Sequence, residues 1–67
     1  KPGDRGSDVL EVQKRLSQKG YYQYYLDGIY GEYMKSSLIN FLKDNNMTLT
    51  DEVSGDIYTK LGIILMD

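Results

Sequence analysis

Cysteine and histidine are both absent from the 67 residues of the chain. Their absence removes disulfides, thiolate chemistry and the common zinc-ligand sets. Packing alone, or a neighbouring domain, must therefore hold the fold. A basic excess is missing too: eight Lys and Arg stand against ten Asp and Glu, for a net charge of −2. Nucleic-acid backbones demand a concentrated basic face, so nucleic acid is not an expected partner. No apolar run approaches the roughly 20 residues that cross a bilayer. No membrane span is expected, and no signal peptide is visible. Opening on Lys1 rather than methionine, the sequence reads as an excised or processed piece. Its length allows one domain, residues 1–67, with a small core that buries about 60% of the unfolded surface.

What is present is organised around Asp27-Gly28-Ile29-Tyr30-Gly31. Two glycines three apart behind an aspartate describe a tight turn that aims whatever follows. Six of the seven tyrosines lie near it: Tyr21, Tyr22, Tyr24, Tyr25, Tyr30 and Tyr33. A weaker echo returns as Asp51-Glu52-Val53-Ser54-Gly55. In this pseudo-repeat, each carboxylate is expected to cap loop amides, each apolar residue (Ile29, Val53) to plug the core, and each glycine to relax the backbone. Turns set side by side leave a shallow groove between them.

The flanking runs read as helices. Lys1 to Gly6 is a loop, with one proline and two glycines in six residues. Ser7 stands at the N-cap position, with Asp8 favouring the positive end of the dipole. Val9, Val12, Gln13 and Leu16 share one face at helical spacing, and Gly20 supplies the residue beyond the C-terminus. The first helix is expected over about 7–19. Gln13 is the polar member of an apolar stripe, so its amide is expected to tie down a loop backbone, with a ligand contact as the alternative.

Tyr21 to Leu26 lacks a helical stripe and reads as an ordered loop, with Tyr21 packed in the core. A second helix is expected over about 32–45, buried through Met34, Leu38, Phe41 and Leu42 with Ile39 on the flank. Ser54 offers a second N-cap, and Ile57 and Leu61 mark a short third helix over about 55–61 that Gly62 stops. Ile63-Ile64-Leu65-Met66 is too apolar for a free tail: it packs back on the bundle or meets what followed it. The class is all-α, a small three-helix bundle with a pseudo-repeat of turn plus helix.

The ordered string Val9-x-x-Val12-Gln13-x-x-Leu16-x-x-x-Gly20-Tyr21-Tyr22, then Asp27-Gly28-Ile29-Tyr30-Gly31, then Leu38-x-x-Phe41, resembles the type 1 peptidoglycan-binding domain. The opening Gly3-Asp4-Arg5-Gly6-Ser7-Asp8-Val9 resembles that family's Gly-Asp-x-Gly start, and the likeness runs from about Gly3 to Leu61. The resemblance implies a three-helix module appended to bacterial cell-wall hydrolases, spore-cortex lytic enzymes or phage endolysins. There it holds a catalytic domain of the same parent chain on the wall and performs no chemistry. Its implied place is extracellular or wall-associated. The chain departs from the family pattern at Met34, where threonine is usual, at Leu42, where glutamine is usual, and at Glu52, where glycine is usual. Tyr24 and Tyr25 fall where small or turn-forming residues are common.

Tyrosine suits a sugar ligand, because its ring stacks on the C–H faces of a pyranose while its hydroxyl reaches a polar group. Four tyrosines in five residues cannot all be buried in so small a domain, and exposed aromatic patches mark interaction sites. The ligand-binding residues expected on this reasoning are Tyr22, Tyr24, Tyr25, Asp27, Gly28, Tyr30, Gly31 and Tyr33, with peptidoglycan as partner. The main alternative is a protein-interaction module whose tyrosine patch and apolar tail dock onto a partner domain. No catalytic residues are assigned: Asp27, Glu32, Asp51, Glu52 and Asp56 sit at turns or helix starts, where capping accounts for acids. Neither a metal site nor a cofactor is expected. The stretch from Asp44 to Gly55 carries Leu49 where a calcium loop needs glycine, and Gly55 where it needs glutamate.

Overall fold

The computed structural model describes residues 3–63. Ile64, Leu65 and Met66 of the apolar tail lie outside the described residues. Three helices follow in order: α1 (Ser7–Gln18), α2 (Glu32–Asp44) and α3 (Gly55–Leu61). Both α2 and α3 pack on α1. The amphipathic stripes explain the arrangement. Val9, Val12 and Leu16 of α1, Met34, Leu38, Phe41 and Leu42 of α2, and Ile57 and Leu61 of α3 are all buried in one cluster. Ile63 packs against its edge.

All three helices end in the same way. One residue turns left-handed, at Gly20 (φ 87°), Asn46 (φ 56°) and Gly62 (φ 83°). The next amide then reaches back to a carbonyl of the last turn: Tyr21 to Leu16 (2.8 Å), Met47 to Leu42 (2.9 Å) and Ile63 to Tyr58 (2.9 Å). This closure satisfies carbonyls that would otherwise end the helix unpaired.

The start of α1 differs from the expectation. Gly6, not Ser7, is the N-cap: its carbonyl accepts the Leu10 amide at 3.1 Å. The reason lies outside the helix. The N-terminal loop pairs with the central turn through an antiparallel bridge between Arg5 and Ile29. Gly6 donates its amide to Gly28 O (2.9 Å), Tyr30 to Asp4 O (2.9 Å) and Gly3 to Tyr30 O (3.0 Å). Gly6 at φ 124° gives the chain the bend from that bridge into the helix. The loop therefore fixes where α1 begins and holds the turn against it.

Candidate functional site

The central turn is held by one buried side chain. Gln13 is fully buried on α1, and its amide reaches the turn from inside. Its Nε2 donates to Ile29 O (2.9 Å) and Asp27 Oδ1 (3.1 Å), with a longer approach to the Tyr22 hydroxyl (3.3 Å). Its Oε1 accepts the buried Gly28 amide at 2.9 Å. The residue thus plays the structural role expected of it. Asp27 Oδ1 also accepts the Ile29 amide at 3.0 Å, closing a turn in which a side chain mimics the backbone. The Ile29 amide and then the Gln13 side chain favour the ionised form, holding the Asp27 carboxyl below its ordinary value of 3.8. Gly28 has φ 71°, and a methyl group there would stand 3.1 Å from Gly6 O. Both facts select glycine.

The tyrosines divide into two sets, one buried and one exposed. Tyr22 and Tyr30 are each 2% exposed and belong to the core, Tyr22 bordering the trough beside the exposed rings and Tyr30 the groove between the turns. Each is accepted there because its hydroxyl finds a carbonyl. Tyr22 donates to Tyr25 O, and Tyr30 donates to Asp51 O at 2.7 Å. Tyr30 therefore plugs the core from the turn, the place expected for Ile29, which is instead 44% exposed. Burial, then the charges of Asp51 and Asp4, push the Tyr30 phenol up to about 12. Tyr21, expected in the core, is half-buried: its ring meets Phe41 edge-on at 5.5 Å and its hydroxyl donates to Asp44 at 2.7 Å. Gly28 is enclosed by the turn, whereas Gly31 is exposed at the start of α2.

Tyr24, Tyr25 and Tyr33 form the exposed set, 48%, 72% and 63% accessible. Tyr24 stacks on Tyr33 with ring centroids 4.2 Å apart and planes 20° from parallel. Tyr25 leans on Tyr24 at 4.8 Å and 54°. Beside these rings runs a small trough of about 70 Å³, lined among others by Tyr24, Tyr33, Asp27, Glu32 and Met34. Among the expected site residues the structure thus brings Tyr22, Tyr24, Asp27, Gly31 and Tyr33 to the trough, with Tyr25 beside it against Tyr24.

A second hollow answers to the groove expected between the two turns. It measures about 200 Å³ and lies between Asp4, Arg5 and Asp8 on the rim and Val12, Tyr30, Val53 and Tyr58 below. Tyr30 and Val53 come from the two turns, so this is the groove between the repeats, with the N-terminal loop as its outer wall. Only the pairing of that loop with the turn creates the wall, and no periodicity in residues 3–6 signals it.

With this geometry in view, the chain's relatives are clear. Residues 5–61 match the model of the family described as "Putative peptidoglycan binding domain", and the chain belongs to that family of peptidoglycan-binding domains. Among solved structures it is similar to the SleB N-terminal domain, with a TM-score of 0.90 and 27% identity, covering 92% of this chain and 85% of that one. An L,D-transpeptidase from Xylanimonas cellulosilytica gives a TM-score of 0.87 at 27% identity over 92% of this chain. The Burkholderia AP3 phage endolysin shares the fold, with a TM-score of 0.85 at 24% identity over the whole chain. This chain spans 30% of that transpeptidase chain and 26% of that endolysin chain. None of the curated proteins matches it. No helix among the described residues is long and apolar enough to cross a membrane.

Proposed function

We propose that this domain grips peptidoglycan through the face made by Tyr24, Tyr25 and Tyr33 and so retains a linked catalytic domain on the wall. The observation that carries this reading is the exposed, mutually stacked tyrosine set beside a trough. Clustered aromatic rings left in water mark an interaction surface. Tyrosine adds polar tips, which suit a hydroxyl-rich ligand better than an apolar protein face. A trough of about 70 Å³ takes a few waters, or one small substituent such as the acetamido group of an amino sugar. Asp27 lines it with an ionised carboxylate, a natural acceptor for an amide N–H.

Retention is the mechanism. Weak contacts to a repeating polymer raise the local concentration of whatever is tethered to them. The domain performs no chemistry on this reading. Asp27 serves its turn, and Glu32 and Asp56 lie in the first turns of α2 and α3, where an acid favours the positive end of the helix dipole.

The test is co-sedimentation of the chain with insoluble peptidoglycan. The unmodified chain is expected in the pellet, and a variant carrying Tyr24→Ala, Tyr25→Ala and Tyr33→Ala in the supernatant with its helix content unchanged. Equal sedimentation of the two would remove the tyrosine face from the mechanism.

A further inference from the structure

Stacking uses up ring faces. A ring at 4.2 Å and 20° from its neighbour has that face covered, since nothing fits between two aromatic planes so close. Tyr24 is in this position against Tyr33, and Tyr25 leans on it at 4.8 Å. Tyr25 and Tyr33 each contact Tyr24, and among the described residues their rings make no contact with each other. The exposures agree: the middle ring is 48% accessible, and the outer two are 72% and 63%.

The outer rings are also the ones whose backbones are fixed. Tyr33 sits in the first turn of α2, and its carbonyl accepts the Ser37 hydroxyl at 2.8 Å. Tyr25 lies on the loop, but its carbonyl accepts the hydroxyl of buried Tyr22, which itself touches the Gln13 amide. Tyr24 bridges these two separately anchored elements. It sets the separation of the outer rings, which cannot exceed the sum of the two centroid steps, about 9 Å.

We infer that Tyr25 and Tyr33 are two sugar platforms, that Tyr24 is the positioning residue between them, and that the ligand is a glycan strand long enough to cross both. This rests on the tyrosine face being the peptidoglycan-binding surface and names the part of the polymer it takes. A single sugar ring can lie on only one platform. A longer strand makes its second contact within one molecule, where the local concentration is already high, and so gains affinity without any new kind of contact.

The experiment measures calorimetric affinity for peptide-free glycan oligosaccharides, a disaccharide and a hexasaccharide, with intact peptidoglycan sedimentation in parallel. For the unmodified chain the hexasaccharide is expected to bind about tenfold more tightly than the disaccharide. Tyr25→Ala and Tyr33→Ala each erase that gain. Tyr24→Phe keeps it, because the spacer ring remains. Tyr24→Ala loses it, because nothing then holds the outer rings at their separation.

Equal affinity for both oligosaccharides would overturn the two-platform inference. So would a Tyr24→Ala variant that keeps the full gain for the hexasaccharide. Sedimentation with intact peptidoglycan but no binding of either oligosaccharide overturns this inference and leaves wall retention standing. A chain that does not sediment at all overturns both.

Discussion

Gln13 concentrates more of the structure in one side chain than any other residue. It holds three consecutive residues of the central turn, Asp27, Gly28 and Ile29, from a fully buried position. Gln13→Leu keeps the approximate volume but leaves the Gly28 amide without its acceptor and takes a donor from Ile29 O. Unsatisfied buried groups of this kind cost about 1–3 kcal/mol each, so a loss of about 3 kcal/mol in urea unfolding is expected. Glycine gives a sharper comparison. Gly28→Ala meets both a positive φ and a carbonyl at 3.1 Å, while Gly31 has φ −109° and open space around it. Gly28→Ala should cost about 1–2 kcal/mol, and Gly31→Ala should fall within about 0.5 kcal/mol of the unmodified chain. Asp27 predicts an acid effect. Its carboxyl is depressed in the fold, so its contribution is complete above its ordinary value of 3.8 and is lost as pH falls through the lower folded value. Asp27→Asn should remove part of the acid-side decline in a pH series of thermal melts.

Among the elements, the helices were legible and the segments between them only partly so. Val9, Val12, Gln13 and Leu16, then Met34, Leu38, Phe41 and Leu42, recur at the helical period, and all of them are buried. The loop of Tyr21 to Leu26 has no period, so nothing in the sequence says which phenol turns inward. The answer depends on carbonyls that no period reveals: Tyr25 O, three residues along the same loop, for Tyr22, and the distant Asp51 O for Tyr30 of the turn. The same long-range logic puts Tyr30 rather than Ile29 in the core and makes Gly6 rather than Ser7 the start of α1.

The Tyr30–Asp51 bond also joins the two turns, which gives it a signature in alkali. The fold raises the Tyr30 phenol from 10.0 to about 12, so its stabilisation is complete below pH 10 and is lost as pH rises towards 12. Circular dichroism should show the domain weakening across that window. Tyr30→Phe should flatten the decline and cost about 1 kcal/mol at neutral pH for the lost hydrogen bond.

At the scale of the whole molecule, the fold is a clamp that brings an unpatterned aromatic loop to one place. α1 supplies Gln13 together with Val9, Val12 and Leu16 of the core, the N-terminal loop closes over the turn, and α2 carries Tyr33 to meet Tyr24. With a net charge of −2 and a ligand that carries carboxylates of its own, adhesion by bulk charge is not available. Affinity should therefore change little with salt. Between about 0.1 M and about 1 M, where the Debye length shrinks from about 10 Å to about 3 Å, binding should stay within about twofold. A collapse over that range would point to ion pairing instead.

The trough beside the tyrosines and the groove between the turns offer the most direct discrimination, because each makes a different surface the binding site. Nuclear magnetic resonance of the labelled chain, titrated with solubilised peptidoglycan fragments, reads both at once. The shifts are predicted to gather at Tyr24, Tyr25, Tyr33 and Asp27 and to leave Asp4, Asp8 and Tyr58 unmoved. Shifts confined to the cleft of Asp4, Asp8 and Tyr58, with the stacked tyrosines silent, would contradict the account.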